Sequence, residues 1–274
     1  MSICLMIWMK MIWMKSKVVK LMDMSQMLDT IKEKLVEIEK RENIKILHCV
    51  ESGSRAWGFP SPDSDYDVRF IYVRPKEYYL RLDKTRDVIE WQLDETLDIN
   101  GWDLQKMLRL LHGSNPTVFE WKNSPIVYKT SSEWKGISQV IDDYFGVKSG
   151  IYHYLSMAKT NYRDYLKGDV VRLKKYFYVL RPLLACEYIR EKQKSPPMLF
   201  EDLLCYLDGE VKNEILKLIE LKTKTSELGE GKPVKCINKY IEDKISEFEE
   251  YVKCMPTFPK PEWDTLNNLF LKII

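Results

Sequence analysis

The sequence predicts an α+β protein in which a sheet domain with flanking helices precedes an all-helical domain. Short apolar runs of strand type, separated by turn residues, occupy residues 44–102. From about Ile137 onward, apolar residues instead recur at helical spacing. A chain of 274 residues is long enough for two domains, and we predict a sheet domain over residues 25–136 and a helical domain over 137–274.

Residues 1–24 form a leader with its own composition. The first 27 residues contain eight of the twelve Met, and the run MIWMK occurs twice in succession. Lysines interrupt every apolar run, so none approaches the roughly 18 residues that a membrane span needs. We predict a disordered or misassigned leader with the working start near Met22, Met24 or Met27; a surface-binding amphipathic stretch is the alternative.

The first domain is predicted to contain four strands and four helices. Ser25 begins a helix with Leu28, Ile31 and Leu35 on one face. The predicted strands cover residues 44–50, 65–73, 88–93 and 96–102, and the further helices cover residues 76–82, begin at Asp103 and begin at Pro116. His48 in the first strand is interpreted as a packed residue and not as a metal ligand.

The second domain is predicted to contain three amphipathic helices. Their apolar stripes run from Leu173 to Leu184, from Ile215 to Ile219 and from Ile237 to Val252. Pro-rich residues 195–197 and Gly-rich residues 229–231 predict the loops between them.

Composition excludes several classes of protein. Lys+Arg at 43 and Asp+Glu at 41 give a net charge of +2, which argues against bulk electrostatic binding of DNA but leaves a local basic patch open. Six Cys without a CxxC pair and three His disfavour a structural zinc site and suit a reducing cytoplasm. The absence of GxxxxGK[ST], GxGxxG and HExxH motifs disfavours P-loop ATPases, dinucleotide oxidoreductases and zincins.

The stretch that carries chemistry is Gly53-Ser54 followed by Asp65-Tyr66-Asp67. Gly53 permits close approach of the backbone to a phosphate, and Ser54 is expected to start a helix whose free N–H groups favour an anion. Residues i and i+2 of a strand share a face, so Asp65 and Asp67 can converge on metal ions. Hard carboxylate oxygens suit Mg²⁺. Taken singly, these motifs are more often a turn and a solvated acidic pair.

The run GSRAWGFPSPDSDYDVRFIYV resembles the signature of the polymerase-beta-type nucleotidyltransferase superfamily. With LDINGWDLQKMLRLLHGSNPTVFEW and SPIVY, it is similar to a bacterial and phage branch of predicted nucleotidyltransferases linked to RNA repair. The resemblance covers roughly residues 44–190. It implies a polymerase-beta-like nucleotidyltransferase domain with a mixed sheet and flanking helices, and a nucleotidyl-transfer site of unstated substrate.

The resemblance also implies roles for individual residues. Asp65 and Asp67 would hold two Mg²⁺ ions, and Gly53 and Ser54 would hold the triphosphate. We predict Asp98 as the third carboxylate, a metal ligand and candidate general base. Asp103 is the competitor, although a helix N-cap explains it equally simply.

Further candidates lie outside the motif. Arg55 is expected either to neutralise a phosphate or to pair with an acidic neighbour. Lys174, Tyr178 and Arg181 recur at i, i+4 and i+7, so they are predicted to share a helix face that meets a triphosphate or an RNA end; a solvated basic face is the alternative. His153 and the pair Glu120-Trp121 are interpreted as packing residues.

The sequence therefore predicts a metal-dependent, template-independent nucleotidyltransferase. A nucleoside triphosphate, with ATP among the candidates, would donate its nucleoside monophosphate to a hydroxyl of an RNA end, a protein or a small molecule. The alternative is a catalytically inactive nucleotide-binding regulator or interaction module. No membrane partner is expected.

Overall fold

The computed structural model describes residues 25–92, 96–225, 229–256, 259 and 261–274. The predicted leader, residues 1–24, lies outside the described residues. Helix α1 covers residues 25–42. The next elements are β1 (Lys45–Ser52), α2 (Gly53–Ala56), β2 (Tyr66–Val73), α3 (Lys76–Tyr79), β3 (Val88–Gln92), β4 (Leu97–Asp103), α4 (Leu104–His112), α5 (Pro116–Lys122), β5 (Val127–Thr130) and α6 (Ser132–Ile141).

The strands form one mixed five-stranded sheet in the order β3-β4-β2-β1-β5. Strands β2 and β4 are parallel, and the other neighbouring strands are antiparallel. The register places Asp67 opposite Ser52 on one side and opposite Asp98 on the other. The mixed sheet with flanking helices confirms the predicted fold class.

Helices cover both faces of this sheet because the strand residues alternate between two apolar layers. On one face, α1 contributes Ile31, Leu35 and Ile38 to a core shared with strand residues such as Phe70. On the other face, the apolar sides of α4, α5 and α6 pack against residues such as Ile71. The sheet is therefore covered by helices on both faces.

The remaining elements are almost entirely helical. A 3₁₀ turn (Asp142–Tyr144) precedes α7 (Val147–Tyr165), β6 (Val171–Arg172), α8 (Lys175–Lys192), a second 3₁₀ segment (Glu201–Tyr206), α9 (Gly209–Lys224), β7 (Glu230–Gly231), α10 (Lys235–Cys254) and α11 (Asp264–Ile273). Strands β6 and β7 form a two-stranded pair. The predicted stripes on α8, α9 and α10 are buried in one core, which confirms a helical region. The sequence analysis missed α7 and α11, and the β6–β7 pair, part of which lies in the predicted loop 229–231, makes the region not entirely helical.

The sheet domain and the later chain are joined through α6 and α11. The predicted boundary after residue 136 falls within α6, and Trp134 and Ile137, on either side of it, lie in the same buried cluster. Leu266 of α11 belongs to that cluster too. The two-domain division at residue 136 stays a prediction, and the sheet domain's core continues beyond it.

Two further observations concern membrane-spanning helices and cysteines. Among the residues that the structure describes, no helix is long and apolar enough to cross a membrane. Five described cysteines, Cys49, Cys186, Cys205, Cys236 and Cys254, carry free thiols.

Candidate active site

The motif residues meet where β1 ends and β2 begins. Gly53 follows β1 with a φ of +66°, in the left-handed region that glycine tolerates. A Cβ at this position would lie 2.2 Å from Asp67 Oδ2, so a side chain here would displace the Asp67 carboxylate. Glycine thus brings the backbone of α2 directly against a predicted metal ligand. Helix α2 starts at Gly53, one residue before the predicted start, and has only four residues.

The acidic residues lie side by side on the two parallel strands. Asp67 and Asp98 are register partners on β2 and β4, and Asp65 immediately precedes β2. The pKa of Asp67 is raised, first by burial and then by the negative charges of Asp98 and Asp65, while Arg69 opposes this effect. The carboxyl group of Asp67 therefore lies within the electrostatic influence of Asp98 and Asp65.

Arg69 bridges two of these carboxylates, a contact that the sequence analysis missed. Its Nη2 donates to Asp67 Oδ1 at 3.0 Å and to Asp98 Oδ2 at 2.7 Å. Its Nη1 donates to the backbone carbonyl of Asp98 at 3.0 Å. The guanidinium thus supplies the positive charge that adjacent carboxylates need. The signal was available, because Arg69 stands at i+2 from Asp67 and so shares its strand face.

A buried carboxyl group lies beneath Asp67 and was also missed. Glu51 is fully buried, accepts a hydrogen bond from Asp67 N at 2.8 Å and accepts another from the Tyr128 hydroxyl. Burial raises the pKa of Glu51 to about 7, although both hydrogen bonds favour its ionised form. Glu51 and Tyr128 therefore fix the backbone that presents Asp67.

The loop between α2 and β2 is held by serine hydroxyls and by Arg55. Ser54 Oγ donates to Ser64 Oγ at 3.1 Å, and Ser61 N donates to the same hydroxyl at 2.8 Å. Arg55 Nη2 donates to the carbonyl of Ser64 at 2.6 Å, and its guanidinium stacks on Tyr66 at 3.6 Å. Arg55 thus pairs with carbonyl oxygens and braces the loop, and the phosphate-binding role expected for it stays a prediction.

The helical domain supplies the opposite side of a cavity of about 210 Å³. Ser54, Asp65 and Asp67 line one side, and Lys174, Tyr178 and Lys222 line the other. The pKa of Tyr178 is raised by burial and then by the charges of Asp67 and Asp65, which places its hydroxyl within their field. The structure therefore brings two of the three helical-domain candidates to the acidic motif.

Arg181, the third of those candidates, lies away from the cavity lining. Its side chain is buried, and Nη1 donates to Glu120 Oε1 at 2.7 Å. The Tyr154 hydroxyl donates to the same oxygen at 2.9 Å. Residues in the first turn of α8, such as Tyr178, line the cavity, whereas Arg181 lies about two turns along the helix. The guanidinium carbon of Arg181 lies 5.2 Å from the centre of the Trp57 ring. The predicted common face is therefore divided between a cavity wall and an interior ion pair.

Asp98 and Asp103 stand at opposite ends of β4. Asp98 is half exposed and paired with Arg69. Asp103 is buried, caps α4 by accepting from Gln105 N at 2.8 Å and accepts from the Tyr79 hydroxyl at 2.9 Å. The geometry gives Asp98 the place beside Asp67 and gives Asp103 the N-cap that the sequence offered as its simpler explanation.

The donor set fits Mg²⁺ in chemical type but is not a closed cluster. Asp65 and Asp67 offer hard oxygens at the mouth of the cavity, and their mutual repulsion favours a bound cation. In the described part of the chain, no group of three or more His, Cys, Asp or Glu side chains is arranged to hold a metal ion. The third carboxylate, Asp98, is engaged by Arg69.

The residues interpreted as packing are consistent with that interpretation. His48 is buried and stacks on Trp134 at 4.2 Å, and burial lowers its pKa to about 4. Trp121 is buried against Trp102. His153 packs edge-on against Tyr154 at 6.0 Å. Glu120 forms an ion pair with Arg181 of α8, so it contributes an electrostatic contact as well as packing.

Comparisons with known proteins show which family the chain resembles over most of its length. Residues 27–272 match the model of the RNA repair pathway DNA polymerase beta family. An uncharacterized protein of Bacillus subtilis (strain 168), YcgL, is 43% identical over 245 residues, which is 88% of this chain and 94% of that protein. The structure of a nucleotidyltransferase-like protein from Exiguobacterium sibiricum 255-15 aligns with 90% of this chain and 79% of its own. The sequence identity is 10% and the TM-score is 0.30.

Proposed function

Because the chain belongs to the RNA repair pathway DNA polymerase beta family, we propose that it is a metal-dependent, template-independent nucleotidyltransferase. It transfers a nucleoside monophosphate from a nucleoside triphosphate to an acceptor hydroxyl and releases pyrophosphate. The observation that carries this proposal is the cavity in which Asp65, Asp67 and Ser54 face Lys174 and Tyr178. Carboxylates on one side and a cation on the other match a metal-bound polyphosphate.

In this reaction a new bond forms between the acceptor oxygen and the α-phosphorus, and the bond to the β-phosphate oxygen breaks. Gly53 and Ser54 hold the phosphates, and Tyr178 orients the nucleoside by stacking. Asp98 accepts the proton of the acceptor hydroxyl, for which its half-exposed position is suited. Mg²⁺ held by Asp65 and Asp67 would activate the hydroxyl and neutralise charge on the leaving pyrophosphate.

The acceptor we favour is an RNA end. The family's description names an RNA repair pathway, which supports RNA over a protein hydroxyl or a small molecule. The net charge of +2 fits binding of a terminus more readily than binding of a long polynucleotide.

The experiment is transfer of label from each of four α-labelled ribonucleoside triphosphates, with Mg²⁺ and total RNA as acceptor. The Asp65→Asn/Asp67→Asn double variant is expected to lose transfer by about a thousandfold, the scale of removing transition-state charge stabilisation. Asp243→Asn, an exposed change on α10, is the matched control and is expected to retain full transfer. Circular dichroism confirms that both variants fold.

Retained transfer in the double variant would refute the metal assignment. Pyrophosphate release without label in RNA would refute RNA and leave the transferase with another acceptor. Absence of pyrophosphate release with all four triphosphates and all three acceptor classes would refute the transferase.

The second candidate is a nucleotide-binding module without turnover, and the Arg69 bridge favours it. A guanidinium that neutralises both Asp67 and Asp98 provides the stabilisation that a metal ion would otherwise provide. Under this candidate, isothermal titration detects nucleotide binding that is insensitive to Mg²⁺, and no pyrophosphate appears. Mg²⁺-dependent binding with turnover would exclude it.

A further inference from the structure

Arg69 of β2 lies between two carboxylates of the candidate active site. Its Nη2 atom is 3.0 Å from Asp67 Oδ1 and 2.7 Å from Asp98 Oδ2. A metal ion that bound both oxygens would have to lie between them, because Mg²⁺ holds its oxygen ligands at about 2.0–2.1 Å. The same space cannot contain both the nitrogen atom and the metal ion. Arg69 and a bridging metal ion therefore exclude each other from this position.

The guanidinium group of Arg69 has two sets of contacts, and one set can be released without the other. Nη1 donates to the backbone carbonyls of Val68 at 3.1 Å and Asp98 at 3.0 Å. The carboxylates that Nη2 contacts are open to water, since the side chains of Asp67 and Asp98 are 33% and 51% exposed. Ion pairs in contact with water add little net stability. A metal ion with further ligands can therefore displace Nη2 while Nη1 stays bound to the backbone.

The nucleotide-free protein offers a divalent ion few unoccupied ligands. Among the described residues, the exposed side chain of Asp65 takes part in no ion pair, whereas Asp67 and Asp98 are both paired with Arg69. Mg²⁺ gives up its hydration shell reluctantly, and proteins usually hold it through one or two carboxylates together with phosphate oxygens of the substrate. A metal ion that arrives on a triphosphate brings those oxygens with it, and a free metal ion does not.

We propose that Arg69 determines the order in which the site is assembled. It holds Asp67 and Asp98 until a triphosphate brings the metal ion, and so prevents tight metal binding by the nucleotide-free protein. This inference rests on the proposed function for the identity of the nucleotide. The exclusion of metal ions requires no transfer, because it is a property of the protein without substrate.

The test is binding of Mn²⁺, which prefers the same oxygen ligands as Mg²⁺, to the full chain without nucleotide. Electron paramagnetic resonance measures the free ion. We expect Mn²⁺ to bind Arg69→Met about tenfold more tightly than the wild type, the scale of removing a unit charge close to a divalent ion in a hydrated site. Arg81→Met removes an exposed arginine that also pairs with an aspartate, and it should leave the affinity unchanged. The gain should disappear in Arg69→Met/Asp67→Asn.

Two other roles of Arg69 would give different results. If Arg69 only joins β2 to β4, Arg69→Met lowers the unfolding midpoint and leaves the Mn²⁺ affinity at the wild-type value. If Arg69 arranges the carboxylates for the metal ion, the affinity falls. Either result overturns the inference.

A second variant and a wild-type measurement cover the case in which Arg69→Met does not fold. The amide of Arg69→Gln can still donate to Asp98 but carries no charge, so this variant should also gain Mn²⁺ affinity. In the wild type, binding of a non-hydrolysable triphosphate analogue should depend on Mg²⁺. No gain in Arg69→Gln, or analogue binding that is the same with and without Mg²⁺, would overturn the inference.

The two proposals can fail separately. Tighter Mn²⁺ binding by Arg69→Met, without nucleotidyl transfer to any acceptor, would refute the transferase and keep the role of Arg69 in excluding metal ions. Metal-dependent transfer, with equal Mn²⁺ affinities in the wild type and in Arg69→Met, would refute that role and keep the transferase.

Discussion

Arg181 on α8 and Lys222 on α9 are both buried cations of the helical domain, and their partners differ. Arg181 is 3% exposed and donates to the carboxylate of Glu120, an oxygen that also accepts from Tyr154. Lys222 donates to a carbonyl and borders a cavity. A buried cation that has a carboxylate partner fixes the packing of two elements, whereas Lys222 is held by a backbone carbonyl beside the acidic residues of the cavity.

The largest expected effect on stability comes from breaking the ion pair between Arg181 and Glu120. Arg181→Met leaves Glu120 as a partly buried charge without its cation, which should cost about 3–5 kcal/mol of unfolding free energy. Urea denaturation measures it, with exposed Arg163→Met as the control. The transfer rate per folded molecule should stay close to that of the wild type. Intact stability together with lost transfer would instead make Arg181 the nucleotide-binding residue that the helical spacing predicted.

Glu51 is a buried carboxyl group whose described hydrogen-bond donors, Asp67 N and the Tyr128 hydroxyl, are both uncharged. Its pKa is raised from the ordinary 4.5 to about 7, mainly by burial, so the folded state holds this proton more tightly than the unfolded state. The resulting stabilisation is complete below about pH 4.5 and is lost as the pH rises through 7, a total of about 3 kcal/mol.

Replacing the carboxyl by an amide tests this dependence on pH. In Glu51→Gln, the part of the pH dependence between pH 5 and 8 that belongs to Glu51 should disappear, and exposed Glu33→Gln should keep the wild-type profile. Unfolding free energies at several pH values provide the measurement. An unchanged slope in Glu51→Gln would mean that Glu51 is ionised throughout, as an ordinary ion-paired residue would be.

The smallest effects separate the two carboxylates of β4. Asp98→Asn should lower transfer about a hundredfold, within the range for a general base, with little change in stability. Asp103→Ala removes the N-cap of α4 and the acceptor of Tyr79, and should cost about 1–2 kcal/mol of stability. Its transfer rate per folded molecule should stay close to that of the wild type. The opposite pattern would make Asp103 the third carboxylate.

Local patterns in the sequence predicted most of the fold. Four strands and the start of α4 follow from alternation and capping, which depend on residues close in sequence. Strand β5 was not predicted as an element, because its four residues, Val127–Thr130, carry too short a pattern. Helix α11 was not predicted either, although its contact with the sheet domain is part of that domain's core.

The site was predictable only as far as its contacts are local. Gly53, Asp65 and Asp67 belong to one continuous motif, and the strand register adds Asp98. Lys222 was missed because the carbonyl it binds lies 163 positions earlier in the chain. Arg181 was predicted to bind the nucleotide because helical spacing shows which residues share a face. Spacing does not show which of those residues are buried against the sheet domain.

The packing of α11 against the sheet domain has a consequence for biosynthesis. Leu266 completes an apolar layer whose other buried members precede it by at least 122 residues, the last of them being Tyr144. A ribosome-bound chain that stops before α11 has Gly53, Asp65 and Asp67 in place along the polypeptide but lacks part of the layer that supports their sheet. The sheet domain is therefore synthesised first, but it reaches its final stability only after the helical domain has been synthesised.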